Sequence, residues 1–235
     1  MFSECIILAG GMGTRLQTVV KDVPKVLADV NGKPFLHYIL ENVAKQKISH
    51  IILSVGYKHE LIQAFCQQYH PDLNISYAIE EDPLGTGGGI ALSLEQAQTN
   101  TILIINGDTF FHVDYNQFYN LHQSHKSFFS IALKPMKNFD RYGSVMTDDT
   151  NRITGFIEKQ YQTEGTINAG IYLLNKLDFL KLSFPQKFSF EKDFMETHCQ
   201  SFGMYGFSFN DYFIDIGIPT DYYKAQQDFK TMFQL

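Results

Sequence analysis

Residues 5–16 read Cys5-Ile6-Ile7-Leu8-Ala9-Gly10-Gly11-Met12-Gly13-Thr14-Arg15-Leu16, an unbroken apolar run that passes straight into a glycine-rich loop carrying an arginine. A continuous β-branched run suits a strand covered on both faces, as in a parallel sheet flanked by helices. Glycines at 10, 11 and 13 let backbone N–H groups reach phosphate oxygens, and Arg15 adds a forked donor that matches a phosphate. A glycine turn with a surface arginine is the plainer alternative, but it does not call for three glycines in four positions directly after the first strand.

The same alternation continues outward. Residues 5–9 are read as a strand, 10–33 as a long polar loop, and 35–47 as a helix starting after Pro34. His50–Val55 is a second strand, followed by a helix over 58–69 and a third strand over 74–79. A glycine turn at 85–89 opens into a helix through 97, and 101–105 (TILII) is a fourth strand closed by Asn106-Gly107-Asp108. Repeated strand, loop and helix predict a Rossmann-like α/β fold in three layers around a mostly parallel sheet. In the second half, residues 127–133, 143–146, 153–157, 168–174 and 204–209 are strand-like, with a hairpin turn at 148–151 and a last helix over 220–233. These are expected as extra antiparallel strands beside the main sheet. No linker divides the chain, so 1–235 is read as one domain.

Composition narrows the function classes. A chain of 235 residues with 44% hydrophobic content can bury one large core. No apolar stretch approaches the ~20 residues of a membrane span, and the N-terminus lacks a signal peptide's basic region, so a cytoplasmic protein with no membrane partner is expected. Cys5, Cys66 and Cys199 are scattered, which gives neither a disulfide framework nor a zinc knuckle. The net charge of −6 argues against a nucleic-acid partner but not against a nucleotide, whose phosphates need only local donors. Homo-oligomer formation stays open.

Two common nucleotide loops fail on particular residues. A Walker loop ends in Gly-Lys-Ser/Thr, which is absent. The dinucleotide fingerprint needs glycine where Leu16 stands and an acidic residue closing the second strand, which instead ends Ser54-Val55-Gly56. What remains, Leu8 to Leu16 followed by Pro24-Lys25-Val26-Leu27 and Asn31-Gly32-Lys33-Pro34, resembles the sugar-1-phosphate nucleotidyltransferases. Gln17-Thr18-Val19-Val20, where many members have Pro-Leu-Thr, is similar to the heptose-1-phosphate guanylyltransferase branch.

The resemblance implies a reaction between a nucleoside triphosphate and a sugar 1-phosphate, with Arg15 and Lys25 as catalytic residues. The attacking phosphate has a second pKa near ~6, so it needs no general base; positioning and charge neutralisation carry the chemistry. Leu8, Ala9, Gly10, Gly11, Gly13 and Thr14 would form the nucleotide loop, with Glu80, Gly85 and Thr86 near the base. A carboxylate at Glu80 accepts from the adjacent N1–H and amine of guanine, so GTP is favoured. Gly143, Glu158, Lys159 and Asn168 fall on the family's sugar motifs, so the resemblance makes 1–126 mainly nucleotide-binding and 127–235 mainly sugar-binding. Asp108, at the carboxyl end of an apolar strand, and Asp215, flanked by apolar residues, would hold Mg2+. His122 and His125 share a helical spacing but lack a third ligand and are read as a solvated face. The aromatics of 204–213 are read as core packing.

The favoured reaction joins GTP and D-glycero-α-D-manno-heptose 1-phosphate. Mannose-1-phosphate guanylyl transfer, uridylyl transfer to N-acetylmuramate or hexose 1-phosphate, and a non-catalytic sugar-nucleotide-binding homologue are the alternatives.

Overall fold

The computed structural model describes residues 3–11, 13–16, 19–20, 22–157 and 159–233. Its first half runs β1 (Glu4–Leu8), a short β2 (Asp29–Val30) and β3 (Lys33–Pro34), α1 (Phe35–Lys45), β4 (His50–Val55), α2 (His59–Tyr69), β5 (Ile75–Ile79), α3 (Gly85–Leu94) and β6 (Thr101–Asn106). β7 (Thr109–Phe111) and α4 (Tyr115–Ser124) lead to β8 (Phe129–Phe139), β9 (Ser144–Thr147), β10 (Ile153–Ile157), β11 (Gln162–Asn175) and a short α5 (Lys176–Phe179). A π-helical segment (Phe190–Glu196), β12 (Met204–Ser208), β13 (Phe213–Asp215) and α6 (Pro219–Met232) complete the chain.

The main sheet has the order β10-β9-β11-β6-β1-β4-β5; β8 pairs with β11, and β12 pairs with β8 in parallel, unlike the other added strands, which are antiparallel as expected. β6, β1, β4 and β5 are mutually parallel, whereas β11 lies antiparallel to β6 and to β8. The long strand β11 carries both halves. Residues 171–175 pair with β6, and after a register shift Ile167 pairs with Ser144 of β9.

Alternation along the central strands feeds two cores. Cys5, Ile7, Leu103 and Ile105 face a layer built from α1, α2 and α6, including Leu36, Ile62 and Phe229. Ile6, Ile102 and Ile104 face the opposite layer, with Ile90 and Leu94 of α3 and Phe190 and Phe194 of the π segment. Every one of these side chains is almost wholly buried, each stabilising the fold by about 1.5–3 kcal/mol before the entropy of ordering is counted.

Three sequence expectations are corrected. Residues 10–33 are not all loop: Thr14–Leu16 and Lys25–Leu27 form 3-10 turns, β2 and β3 form a small hairpin, and Leu16, Val26, Ala28 and Val30 are buried anchors. The glycines at 85–89 are not a turn before a helix but the first turns of α3 itself. There the helix axis passes close to Phe188 and Gln186, and a Cβ at Gly87 would lie 2.2 Å from Phe188 Cε2. His122 is not solvated; it is buried between Ser130 (Nδ1 to Oγ 2.8 Å) and Asn175 (Nε2 to Oδ1 3.3 Å). His125 packs on Tyr205 and Phe207.

Candidate active site

The carboxyl ends of the four parallel strands open into a cavity of about 680 Å³. Leu8 closes β1, Ser54 and Gly56 lie at the end of β4, Ile79 and Glu80 at the end of β5, and Asn106 ends β6; all of them line the cavity. This is where open α/β sheets bind ligands. Ala9, Gly10 and Gly11 supply the wall nearest β1, while Gly85 and Thr86 bring the N-terminus of α3 to the opposite wall. An N-terminus of this kind presents free N–H groups and a partial positive charge to an anion.

Lys25 enters from the 3-10 turn Lys25–Leu27, which Pro24 precedes and buried Val26 fixes. Its Nζ lies 2.6 Å from Asp108 Oδ2 and 3.9 Å from Asp215 Oδ1. The two aspartates are 107 positions apart in sequence, and a separate two-stranded ladder joins them. β13 pairs with β7 in antiparallel register, Asp215 opposite Thr109, and the Ile216 N–H donates to the Asp108 carbonyl at 3.0 Å. Burial, and then repulsion from Asp108, push the Asp215 carboxyl above its usual range, while Lys25 and the Gly217 N–H (2.6 Å to Oδ1) hold it down. One ammonium thus faces two carboxylates on the cavity rim.

Gly13 does not line the cavity. It has φ +60°, and a Cβ there would sit 2.7 Å from the Lys25 Cβ. The left-handed backbone and the missing side chain leave room for the lysine stem, so Gly13 positions Lys25. Thr14 lies in the following turn, its side chain outside the description, as are Gln17 and Thr18. Arg15 is exposed and lies off the cavity wall, with no ion pair to another described residue.

Glu80 is already half engaged. Its Oε2 accepts from the Leu84 N–H at 2.9 Å, which shapes the loop leading into α3. Oε1 accepts from the Ser54 hydroxyl at 3.4 Å and lies close to Gly10 and Gly89. Thr86 is likewise occupied: its hydroxyl donates to Glu191 Oε2 at 2.6 Å and accepts from the Phe190 N–H at 2.9 Å. That hydroxyl ties α3 to the π segment. Tyr57, His59 and Asn106 also line the cavity and escaped the sequence reading, because single polar residues at strand ends carry no motif.

Of the residues expected to contact the sugar, Gly143 and Asn168 are brought together by β9 and β11, the Asn168 N–H lying 3.4 Å from the Gly143 carbonyl. The Asn168 side chain accepts from the Gly170 N–H at 3.0 Å. The buried Tyr172 hydroxyl is oriented toward Asn168 and Asn106, which brings this strand next to the cavity wall. Lys159 is exposed, Glu158 falls outside the described residues, and Gly143, Lys159 and Asn168 do not line the main cavity. A smaller cavity of about 230 Å³ lies beyond Asp215, walled in part by Tyr142 and the ion-paired Arg141 and Asp221. Among the described residues no helix is long and apolar enough to cross a membrane.

Comparison with known proteins agrees with this geometry. The family model for nucleotidyl transferase matches residues 4–231. A D-glycero-alpha-D-manno-heptose 1-phosphate guanylyltransferase of Aneurinibacillus thermoaerophilus is 48% identical over 225 residues, 96% of this chain and 97% of that protein. A protein of the same name from Campylobacter jejuni is 43% identical over 220 residues, 94% of this chain and 97% of that protein. The crystal structure of HddC from Yersinia pseudotuberculosis complexed with GMP-PN superposes with a TM-score of 0.87 at 38% identity, covering 98% of this chain and all of that one.

Proposed function

Because the chain belongs to the nucleotidyl transferase family, we propose that it joins GTP to D-glycero-α-D-manno-heptose 1-phosphate, giving the GDP-heptose and pyrophosphate. The names of the two relatives above 40% identity and the nucleotide analogue bound to HddC support the choice of sugar and base. The observation that carries the reaction class is the placement of Lys25 between Asp108 and Asp215 on the rim of the strand-end cavity.

In this reading a phosphate oxygen of the sugar 1-phosphate attacks the α-phosphorus of GTP. A new P–O bond forms, the bond to the β-phosphate oxygen breaks, and the electron pair leaves with pyrophosphate. The nucleophile is largely dianionic at neutral pH, its second pKa being about 6, so no side chain has to remove a proton. Repulsion between anions is the main obstacle. Backbone N–H groups of Gly10 and Gly11 hold the triphosphate, and Lys25 turns from Asp108 toward its α-phosphate. Arg15, exposed beside the loop, closes on the outer phosphates. Gly143, Asn168 and Lys159, with Glu158, take the sugar side.

The donor set fits a magnesium ion. Two carboxylates share one ammonium, Asp215 is disfavoured as an anion by Asp108, and a hard cation prefers a few carboxylates plus phosphate oxygens and water. Asp108 and Asp215 would hold it, and it would supply charge neutralisation for the phosphates.

Pyrophosphate release measured for four nucleoside triphosphates against heptose, mannose, glucose and N-acetylmuramate 1-phosphates tests the proposal. The highest kcat/KM is expected for GTP with the heptose. A higher value for another pair would replace the substrate assignment, and tight GDP-sugar binding without turnover would identify a regulatory homologue.

A further inference from the structure

A second cluster of ligating side chains lies away from the cavity. His37 and Glu41 are four residues apart on α1, one helical turn along the same face. His70, the residue that follows α2, faces both. Its side chain is only 5% exposed, walled by the Phe65 ring. His37 Nδ1 lies 3.0 Å from His70 Nε2, and His70 Nδ1 lies 4.0 Å from Glu41 Oε1. One nitrogen from each ring and one carboxylate oxygen all fall within 4.8 Å of one another. None of the three lines the active-site cavity.

We propose that His37, Glu41 and His70 form a binding site for a zinc-type divalent transition metal, separate from the Asp108–Asp215 pair. Two imidazoles and one carboxylate form a donor set that suits Zn2+ or Co2+ and does not suit Mg2+. Ligand atoms ~2.0–2.1 Å from one tetrahedral ion sit about 3.3 Å apart, so the 3.0 Å nitrogen pair is already close to that spacing. Glu41, with a side chain 44% exposed, has the freedom to close the third edge. A hydrogen bond between the two rings accounts for the short contact alone. It leaves the other His70 nitrogen facing a carboxylate oxygen at 4.0 Å, beyond hydrogen-bond reach. A cation bridging His37 Nδ1 and His70 Nε2 would take Glu41 as its third ligand once that side chain swings round from the Nδ1 edge of the His70 ring.

Burial holds both imidazoles below their usual range, and Lys33 adds to this, so their lone pairs are available at neutral pH. Lys33 and Lys45 face His37 as cations and Glu41 opposes them, which lowers the affinity without removing the donor set. A bound ion would fasten α1 to the end of α2, adding a cross-link where the helices otherwise meet through side chains.

The test is a Co2+ titration of the full chain in excess Mg2+, read by visible absorption. One saturable equivalent with the bands of nitrogen ligation is expected, weakened at least tenfold in Glu41→Gln and lost in both His37→Ala and His70→Ala. Zn2+ should compete for the site and raise the melting temperature of the unaltered protein but not of His37→Ala. His37 is half-buried on a helix face, so that variant should fold, and its pyrophosphate release without added Co2+ or Zn2+ should equal that of the unaltered protein. Absence of saturable binding, or binding that survives in His37→Ala, would overturn the proposal.

Discussion

Replacing Gly13 with alanine separates the geometry of the loop from its contact with phosphate. The residue sits at φ +60°, where a side chain costs about 1–2 kcal/mol. The new Cβ would lie 2.7 Å from the Lys25 Cβ, against the ~3.5 Å at which two carbons rest, so something must move by about 0.8 Å or more. Lys25 is the less constrained partner, because its stem ends on the cavity rim while Val26 beside it is fixed in the core. A displacement near 1 Å at a reacting group costs on the order of 100-fold in rate. Gly13→Ala is therefore expected to lower kcat about 100-fold, and to lower the melting temperature by roughly 2–8 °C for a chain of this size. Gly11→Ala is the control, since nothing lies within 4 Å of its Cβ position and its φ is not positive. Its melting temperature should stay unchanged, and any effect should fall on KM for the nucleotide. Thermal melts and steady-state pyrophosphate release measure both. A Gly13→Ala protein with kcat within threefold of the parent and an unchanged melt would refute the reasoning.

Other outcomes follow from single contacts. Thr86→Val removes the hydroxyl that joins α3 to Glu191 and the Phe190 N–H; chemical denaturation should show about 1 kcal/mol lost, with KM for GTP changed less than threefold. A large rise in KM at unchanged stability would make Thr86 a nucleotide contact instead. Glu80→Gln should cut the preference for GTP over UTP by about tenfold, the value of one hydrogen bond to a charged acceptor, and an unchanged ratio would dismiss Glu80 as the base reader. Burial brings His122 down to about 4, so the unfolded chain binds its proton first as pH falls below 6.5. Its share of stability is intact above pH 6.5 and is lost toward pH 4, about 2 kcal/mol of it between pH 7 and pH 5. Denaturant midpoints of the parent and His122→Gln should converge by that amount over the interval; parallel curves would count against the buried neutral ring.

The parallel half of the fold was legible because doubly covered strands such as His50–Val55 and Thr101–Asn106 carry near-continuous apolar runs, Ile51–Leu53 and Ile102–Ile105. The glycines of α3 misled for the reason that makes them useful: low helix propensity suggests a turn, whereas close packing against Phe188 selects small residues inside a helix. Tertiary contact also decided His122, whose partners Ser130 and Asn175 lie 8 and 53 positions away. The strand β13 was missed, being three residues long and defined by its pairing with β7. At the site, Gly10, Gly11 and Lys25 of the quoted motif line the cavity, whereas Gly13 and Arg15 do not. The commitment of Glu80 and Thr86 to loop-building bonds was not legible, since it depends on where Leu84 and Glu191 fold.

The central claim is that Lys25, held between Asp108 and Asp215, neutralises charge in the transfer of a guanylyl group. Steady-state pyrophosphate release from GTP and the heptose 1-phosphate by Lys25→Met tests it most directly. Loss of a preorganised cation predicts a fall in kcat of about 100- to 1,000-fold with little change in KM for either substrate. Turnover by Lys25→Met at the parent rate would contradict it.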